Sequence, residues 1–197
     1  MAKLLYQGHG ACRITTDRGL VIYLDPYIGE GYDVPADLIL STHEHHDHTA
    51  FDKMPHAPGC RIIRAGDALK NGVYGSFTVG DVKISAVEAY NSNHPKDRCV
   101  GYILELDGIR LYAAGDTSET EAMKTTLPEM KLDYCLLPGD GVYNMDIDEA
   151  SRCAREIGAR HSIPIHLKPE NLYDEEKAQR FSCPGRLLVR PGEEIAL

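Results

Sequence analysis

The sequence predicts an α/β chain built from sheets packed against one another with helices outside. Two observations carry that expectation. Short apolar strand signals outnumber helical ones, and they arrive in two groups, each followed by a helix. No linker, low-complexity tract or short repeat divides the 197 residues, so they read as a single domain, residues 1–197. A chain of this length with 43% hydrophobic residues can bury a sizeable core.

Taken in order, LLYQ, CRITT and LVIYLD read as strands separated by glycine and by an Asp-Arg-Gly turn. DLILST, residues 37–42, is short and wholly apolar in its middle, the pattern of a strand buried on both faces. CRIIRA and FTVGDVKISAVEA follow in the same character. In GYILELDGIRLYAAGD two apolar runs flank Asp107-Gly108, a hairpin signal. Ser118, with Glu121 three residues on, predicts a capped short helix running to about residue 126. A longer helix is expected from Asp146, since Ile147, Ala150, Cys153, Ala154 and Ile157 follow a 3.6-residue period. Asp146 with Glu149 resembles a capping box, and Gly158 supplies the stop. SIPIH is expected as a strand, DEEKAQRF as a short helix, and RLLVR and EEIAL as closing strands.

Composition narrows the function. The net charge of −9 and the lack of any basic block argue against nucleic acid as a partner. No apolar run approaches the ~20 residues of a membrane span, and MAKLLYQGHGA lacks the apolar region of a signal peptide. The six cysteines form no CxxC pair, and several lie in apolar segments, so a reducing cytoplasm is the simplest home. A homo-oligomer is compatible with all of this.

Residues 42–48, THEHHDH, place four histidines within six positions directly after a buried strand. Crowded imidazoles without a metal would repel on protonation and would need many partners if buried. In an extended stretch His43 and His45 point the same way and can grip one ion, while Asp47 and His48 lie where the chain turns and can reach a second. His46 and Glu44 point away. Imidazole with carboxylate suits zinc, iron or manganese.

His43-Glu44-His45-His46-Asp47-His48 is an HxHxDH run that resembles the motif of the metallo-β-lactamase superfamily. The later GDT around Asp116 and the IPIH ending at His166 resemble that family's further motifs, and the likeness runs from about residue 5 to 170. It implies a four-layer αββα sandwich with two metals at one edge. In that scheme His43, His45 and His94 hold the first ion, Asp47, His48 and His166 hold the second, and Asp116 bridges them together with a hydroxide. Zinc is the expected pair of ions, with manganese and iron also accommodated. Asp47 and Asp116 are the catalytic carboxylates. GHGAC, LDPY and LLPGDGVYNMDIDEA are closest to a small stand-alone branch similar to ascorbate-6-phosphate lactonase.

On residues alone, Asp116 before Thr-Ser reads as a helix cap, His166 as a satisfied core histidine, and His94 as a surface residue of a polar loop, with His56 and His161 as rivals. Asp25 reads as a turn former before Pro26, whereas the resemblance implies that it orients a ligand histidine. His9 is expected to line the same edge. Tyr143 and Lys168 are candidate substrate contacts, Lys168 for an anionic group.

Only 49 residues separate Asp116 from His166, too few for the insertion of the family's nucleic-acid-cleaving members. The expected activity is hydrolysis of a small-molecule ester, lactone or phosphoester. The alternatives are a non-hydrolytic metal-binding protein and a di-iron redox protein on the same fold.

Overall fold

The computed structural model describes residues 1–197. The first group of strands is β1 (Lys3–Gly8), β2 (Ala11–Thr15), β3 (Val21–Leu24), β4 (Ala36–Leu40) and β5 (His56–Ile63). After α1 (Ala65–Ala68) and a small ribbon of β6 (Leu69–Lys70) and β7 (Val73–Tyr74) come β8 (Ser76–Val79), β9 (Val82–Glu88), β10 (Val100–Leu106) and β11 (Ile109–Ala113). Then follow α2 (Glu121–Lys124), α3 (Thr126–Glu129), β12 (Tyr134–Pro138), α4 (Ile147–Ile157), β13 (His161–Ile165), α5 (Glu175–Arg180) and β14 (Glu194–Ala196).

They form two six-stranded sheets, ordered β14-β1-β2-β3-β4-β5 and β13-β12-β11-β10-β9-β8. Each is mixed. β3, β4 and β5 run parallel in the first sheet, and β11, β12 and β13 in the second, while the hairpin-linked strands are antiparallel. The Asp107-Gly108 hairpin forms as expected, with both residues left-handed at φ 47° and 81°. FTVGDVKISAVEA is a second hairpin, β8–β9, rather than one strand.

The sheets face each other across the main core. Leu4, Ile14, Ile22, Leu38 and Leu40 of the first meet Ile84, Tyr102, Leu104, Leu111, Leu136 and Ile163 of the second. The outer face of the second sheet is covered by helices, with Ala150, Cys153, Ala154 and Ile157 of α4 packing on Tyr112, Cys135 and Leu137. The outer face of the first sheet is different. Val21, Tyr23 and Ile39 are covered by Tyr32, Phe51 and Met54, which belong to loops and 3-10 turns rather than an α-helix. The cause is local: residues 25–35, DPYIGEGYDVP, contain two prolines and two glycines, which deny an α-helix its backbone donors and its order. The layer order is therefore that of the αββα sandwich, with one outer layer of coil.

Three further sequence expectations are corrected. α2 begins at Glu121, not at Ser118, whose N–H is taken by Tyr90 O at 3.1 Å. The run also splits into α2 and α3, because Pro128 has no N–H to continue the ladder. α4 starts at Asp146 as expected, with Asp146 accepting from the N–H groups of Asp148 and Glu149, and Gly158 ends it at φ 66°. Glu149, however, accepts from Glu119 N at 2.9 Å instead of completing a capping box. RLLVR is not a strand. Leu187 N bonds Ser162 O in the second sheet, and a few residues on Glu193 O accepts from Tyr6 N in the first. The segment crosses between the sheets and can ladder with neither. No helix is long and apolar enough to cross a membrane.

Candidate metal centre

The parallel strands of both sheets end at the same edge, and that register assembles the site. Asp25 follows β3, His43 follows β4, Asp116 follows β11 and His166 follows β13. His9 lies in the turn between β1 and β2, and His94 in the loop between β9 and β10. Three of the seven residues other than glycine with left-handed backbone are His9, Asp25 and His166, at φ 55°, 45° and 45°. Backbone strain of this kind persists where the surrounding structure over-determines it, and here it falls on one edge. Gly115, at φ 66°, allows the close approach that brings β11 to β4, since a Cβ there would sit 2.7 Å from Thr42 Cβ.

The expected ligand residues converge. Donor atoms of His43, His45 and His94 lie within 4.8 Å of one another, as do those of His9, Asp47, His48 and His166. His43, His48 and Asp116 form a third such group that joins the two. His43, His48, His94, Asp116 and His166 are buried, whereas His45 is exposed and Asp47 intermediate. Glu44 and His46 are exposed, and Glu44 pairs with Arg64 at 2.8 Å. The rivals lie elsewhere: His56 Nε2 is 2.9 Å from Phe51 O, and His161 packs on Tyr134.

The polar neighbours of four rings indicate which nitrogen faces inward. Asn91 Nδ2 donates to Tyr143 O at 2.9 Å, so its Oδ1 is the acceptor for His94 Nδ1 at 2.9 Å. Thr42 Oγ1 donates to Asp25 Oδ2 at 2.8 Å and lies 3.1 Å from His43 Nδ1, so that ring nitrogen is the donor. His48 Nδ1 lies 3.1 Å from Asp25 Oδ2, and His166 Nδ1 3.1 Å from Asp140 Oδ2. Each neutral ring then carries its proton on Nδ1 and directs a bare Nε2 lone pair into the cluster.

The Nε2 atoms of His43, His48 and His166 are buried without a hydrogen-bond partner, and the Nδ1 atoms of His48 and His166, although 3.1 Å from carboxylate oxygens, also lack hydrogen-bond geometry. Asp116 stands among them. Its Oδ1 is 3.4 Å from His48 Nε2, and its Oδ2 is 3.4 Å from both His94 Nε2 and His166 Nε2. These are poor hydrogen-bond distances. They match the separation of two ligands on one ion, because bonds of about 2.0–2.1 Å set tetrahedral donors about 3.3–3.4 Å apart. The orphaned lone pairs and this spacing fit divalent cations.

Charge crowding shifts the titrations in opposing directions. Burial, with His48 next, pushes the His43 pKa down to about 2. Burial also disfavours protonation of His48, but Asp116 and Asp25 outweigh it and push the value up to about 9. Burial alone would raise the Asp116 pKa, yet four imidazoles, led by His166 and His48, hold it well below the usual carboxylate range. Asp47 is likewise held low, with the His9 contact overcoming burial.

Asp140 and Asn91 were not anticipated as part of the site. Asp140 Oδ1 accepts from Val142 N at 2.6 Å and Tyr143 N at 2.7 Å, while Oδ2 accepts from Asn144 Nδ2 at 2.8 Å beside His166. The available signal was a shared pattern: YLD, AAGD and LLPGD each place an aspartate just after an apolar strand. Tyr143 lines a cavity of about 330 Å³ above the donors, together with Glu44, Asn93, Pro169 and Glu170. Lys168 is exposed and outside its walls, so the substrate role expected of it has no support in this geometry.

A family model described as Beta-lactamase superfamily domain matches residues 3–166. A UPF0173 metal-dependent hydrolase of Thermococcus kodakarensis is 30% identical, with 100% of each chain covered. Another, of Pyrococcus furiosus, is 28% identical over 100% of each. Among solved structures, Igni18, a metallo hydrolase from Ignicoccus hospitalis, superposes with a TM-score of 0.75 at 24% identity, covering 98% of this chain and 97% of that one. By family model, full-length relatives and fold, the chain belongs to the beta-lactamase superfamily, alongside relatives named metal-dependent hydrolases.

Proposed function

We propose that the chain is a binuclear metal-dependent hydrolase of a small-molecule ester or lactone. His43, His45 and His94 would hold one divalent ion and Asp47, His48 and His166 a second, with the Asp116 carboxylate within reach of both donor groups. The observation that carries this reading is the convergence of bare Nε2 lone pairs on the Asp116 carboxylate, at 3.4 Å from three histidines. Two such ions, when bound, would supply a water deprotonated near neutral pH and Lewis acidity toward the scissile carbonyl. The residues of the chain hold and orient. Asp25, through Thr42 and directly, keeps His43 and His48 in the Nδ1–H form. Asp140 does the same for His166, and Asn91 for His94. Asp116 stays ionised, and Asp47 also lines the cavity.

The cavity walls support this substrate class. The 330 Å³ cavity carries Glu44 and Glu170 and no lysine or arginine. A phosphoester would be repelled by these carboxylates, whereas an uncharged ester or lactone would meet them without charge repulsion. Arg64 and Arg98 line an adjoining cavity of about 650 Å³ that shares Glu44, His45 and Asn93 with the first. That cavity also carries Asp67 and Asp97, and Arg64 is paired with Glu44 at 2.8 Å. The donor set has no thiolate, which suits zinc and equally manganese or iron. The six free thiols support a reducing cytoplasm, and the small cavity supports a small molecule, rather than nucleic acid or membrane, as the partner.

The test is turnover of lactone, carboxyl ester, thioester and phosphodiester panels by metal-loaded protein, with elemental analysis of the same sample. Two ions per chain with lactone or ester hydrolysis above phosphodiester is expected. Two ions without turnover of any substrate would instead indicate a binding protein. An iron-dependent visible spectrum with redox turnover would indicate the di-iron alternative.

A further inference from the structure

His9 is the one imidazole of the cluster without a part in that scheme, yet its backbone is held in a strained conformation. It is wholly buried, with φ at 55°, a region that residues other than glycine rarely adopt. Three hydrogen bonds enforce it. Its N–H donates to Leu172 O at 2.7 Å, and its carbonyl accepts from His166 N at 2.7 Å and Tyr6 Oη at 2.8 Å. The ring lies against His166, with centroids 3.6 Å apart.

The two ring nitrogens have unlike surroundings. Nδ1 is 3.1 Å from Asn171 O, and a carbonyl oxygen only accepts, so Nδ1 carries the proton. In the neutral ring Nε2 is then a lone pair, and it lies 3.2 Å from Asp47 Oδ2. Unless a second ring proton or a cation lies between them, two acceptors would face each other. Asp47 Oδ2 is also the oxygen turned inward, 3.9 Å from both His48 Nε2 and His166 Nε2, whereas Oδ1 faces the exposed His46. The His9 lone pair therefore converges on the inner oxygen of the second donor group. A cation shared by both removes the repulsion, and 3.2 Å is close to the separation of neighbouring ligands on one ion.

We propose that His9 is a ligand of the second ion, which makes the donor set His9, Asp47, His48 and His166. The proposal rests on the two-ion reading above. With Asp116 and a water added, this position exceeds four ligands. It is then suited to ions that accept five or six nitrogen and oxygen donors, manganese, iron(II) and cobalt among them. The first position, with His43, His45 and His94, keeps fewer protein donors.

The test uses the full chain, stripped with chelator and reloaded with Co(II), whose visible absorption per ion intensifies as coordination number falls. His9→Asn is the variant, because asparagine tolerates the left-handed backbone. The wild type is expected to bind two ions. The variant should hold the first ion within about threefold of wild type and the second about 100-fold more weakly, with stronger absorption from the second position. Equal affinity and an unchanged spectrum in the variant would overturn the assignment.

A second measurement needs no substitution: Zn(II) titration of wild-type protein with ¹⁵N-labelled imidazoles. The expected outcome is a His9 ring that keeps its Nδ1 proton and shifts at Nε2 on the second equivalent. Protons on both nitrogens at full loading would mean an imidazolium paired with Asp47, and would refute the proposal even if the variant failed to fold. A wild type that takes up only one ion would refute the two-ion reading itself, and the His9 assignment with it.

Discussion

Asp140→Asn separates metal affinity from fold stability more cleanly than loss of a ligand does. The substitution keeps the shape of a side chain that is 1% exposed. It preserves the oxygen that accepts from Val142 N and Tyr143 N at 2.6 and 2.7 Å. The new amide NH₂ replaces the oxygen that faces Asn144 Nδ2 at 2.8 Å and His166 Nδ1 at 3.1 Å, and so points a donor at two donors. Rotating the amide does not help, because it would then oppose the two backbone N–H groups. His166 is relieved by moving its proton from Nδ1 to Nε2, but that caps the lone pair directed at Asp116. Returning to the metal-competent tautomer restores one donor–donor conflict, worth about 2 kcal/mol for a hydrogen bond to a charged group. That equals a loss of about 30-fold in affinity for the second ion. The metal-free variant should lose only about 1–3 kcal/mol of stability for its mispaired buried donors. Competition with a chromophoric chelator measures the first quantity, and thermal unfolding of stripped protein the second. A second-ion affinity within twofold of wild type, alongside a lowered Tm, would refute the tautomer argument.

His45→Ala removes an exposed residue, so stability should stay within about 0.5 kcal/mol while the first ion and activity are lost together; retention of both ions would contradict the ligand assignment. Gly115→Ala puts a Cβ 2.7 Å from Thr42 Cβ at φ 66°, and should lower stability by about 2–3 kcal/mol, read as a Tm drop of about 4–12 °C. The metal-free chain should show a Tm maximum near pH 6.5. His43, at about 2 when folded, leaves the unfolded state binding more protons below about 6.5, so stability falls with acid. His48, at about 9 when folded, leaves the folded state binding more between about 6.5 and 9, so stability falls with base. A profile that rises or falls monotonically across this range would refute the assigned directions.

The sequence by itself determined the strand-rich order, the Asp107-Gly108 hairpin and the helix between Asp146 and Gly158, because these rest on local period, turn and cap chemistry. It also carried the HxHxDH run, since those donors are neighbours along the chain. Tertiary structure alone decided the coil layer over the first sheet, the crossing of residues 186–193 between sheets, and the contacts that Asn91, Asp140 and His9 make with the clustered donors. His9 and Asp47 are 38 positions apart, and His166 meets Asp116 across parallel strands. Residues so distant in sequence leave no periodic trace in it. They become neighbours only when sheet register brings their strand ends to one edge, and there the bond directions decide which lone pairs remain bare.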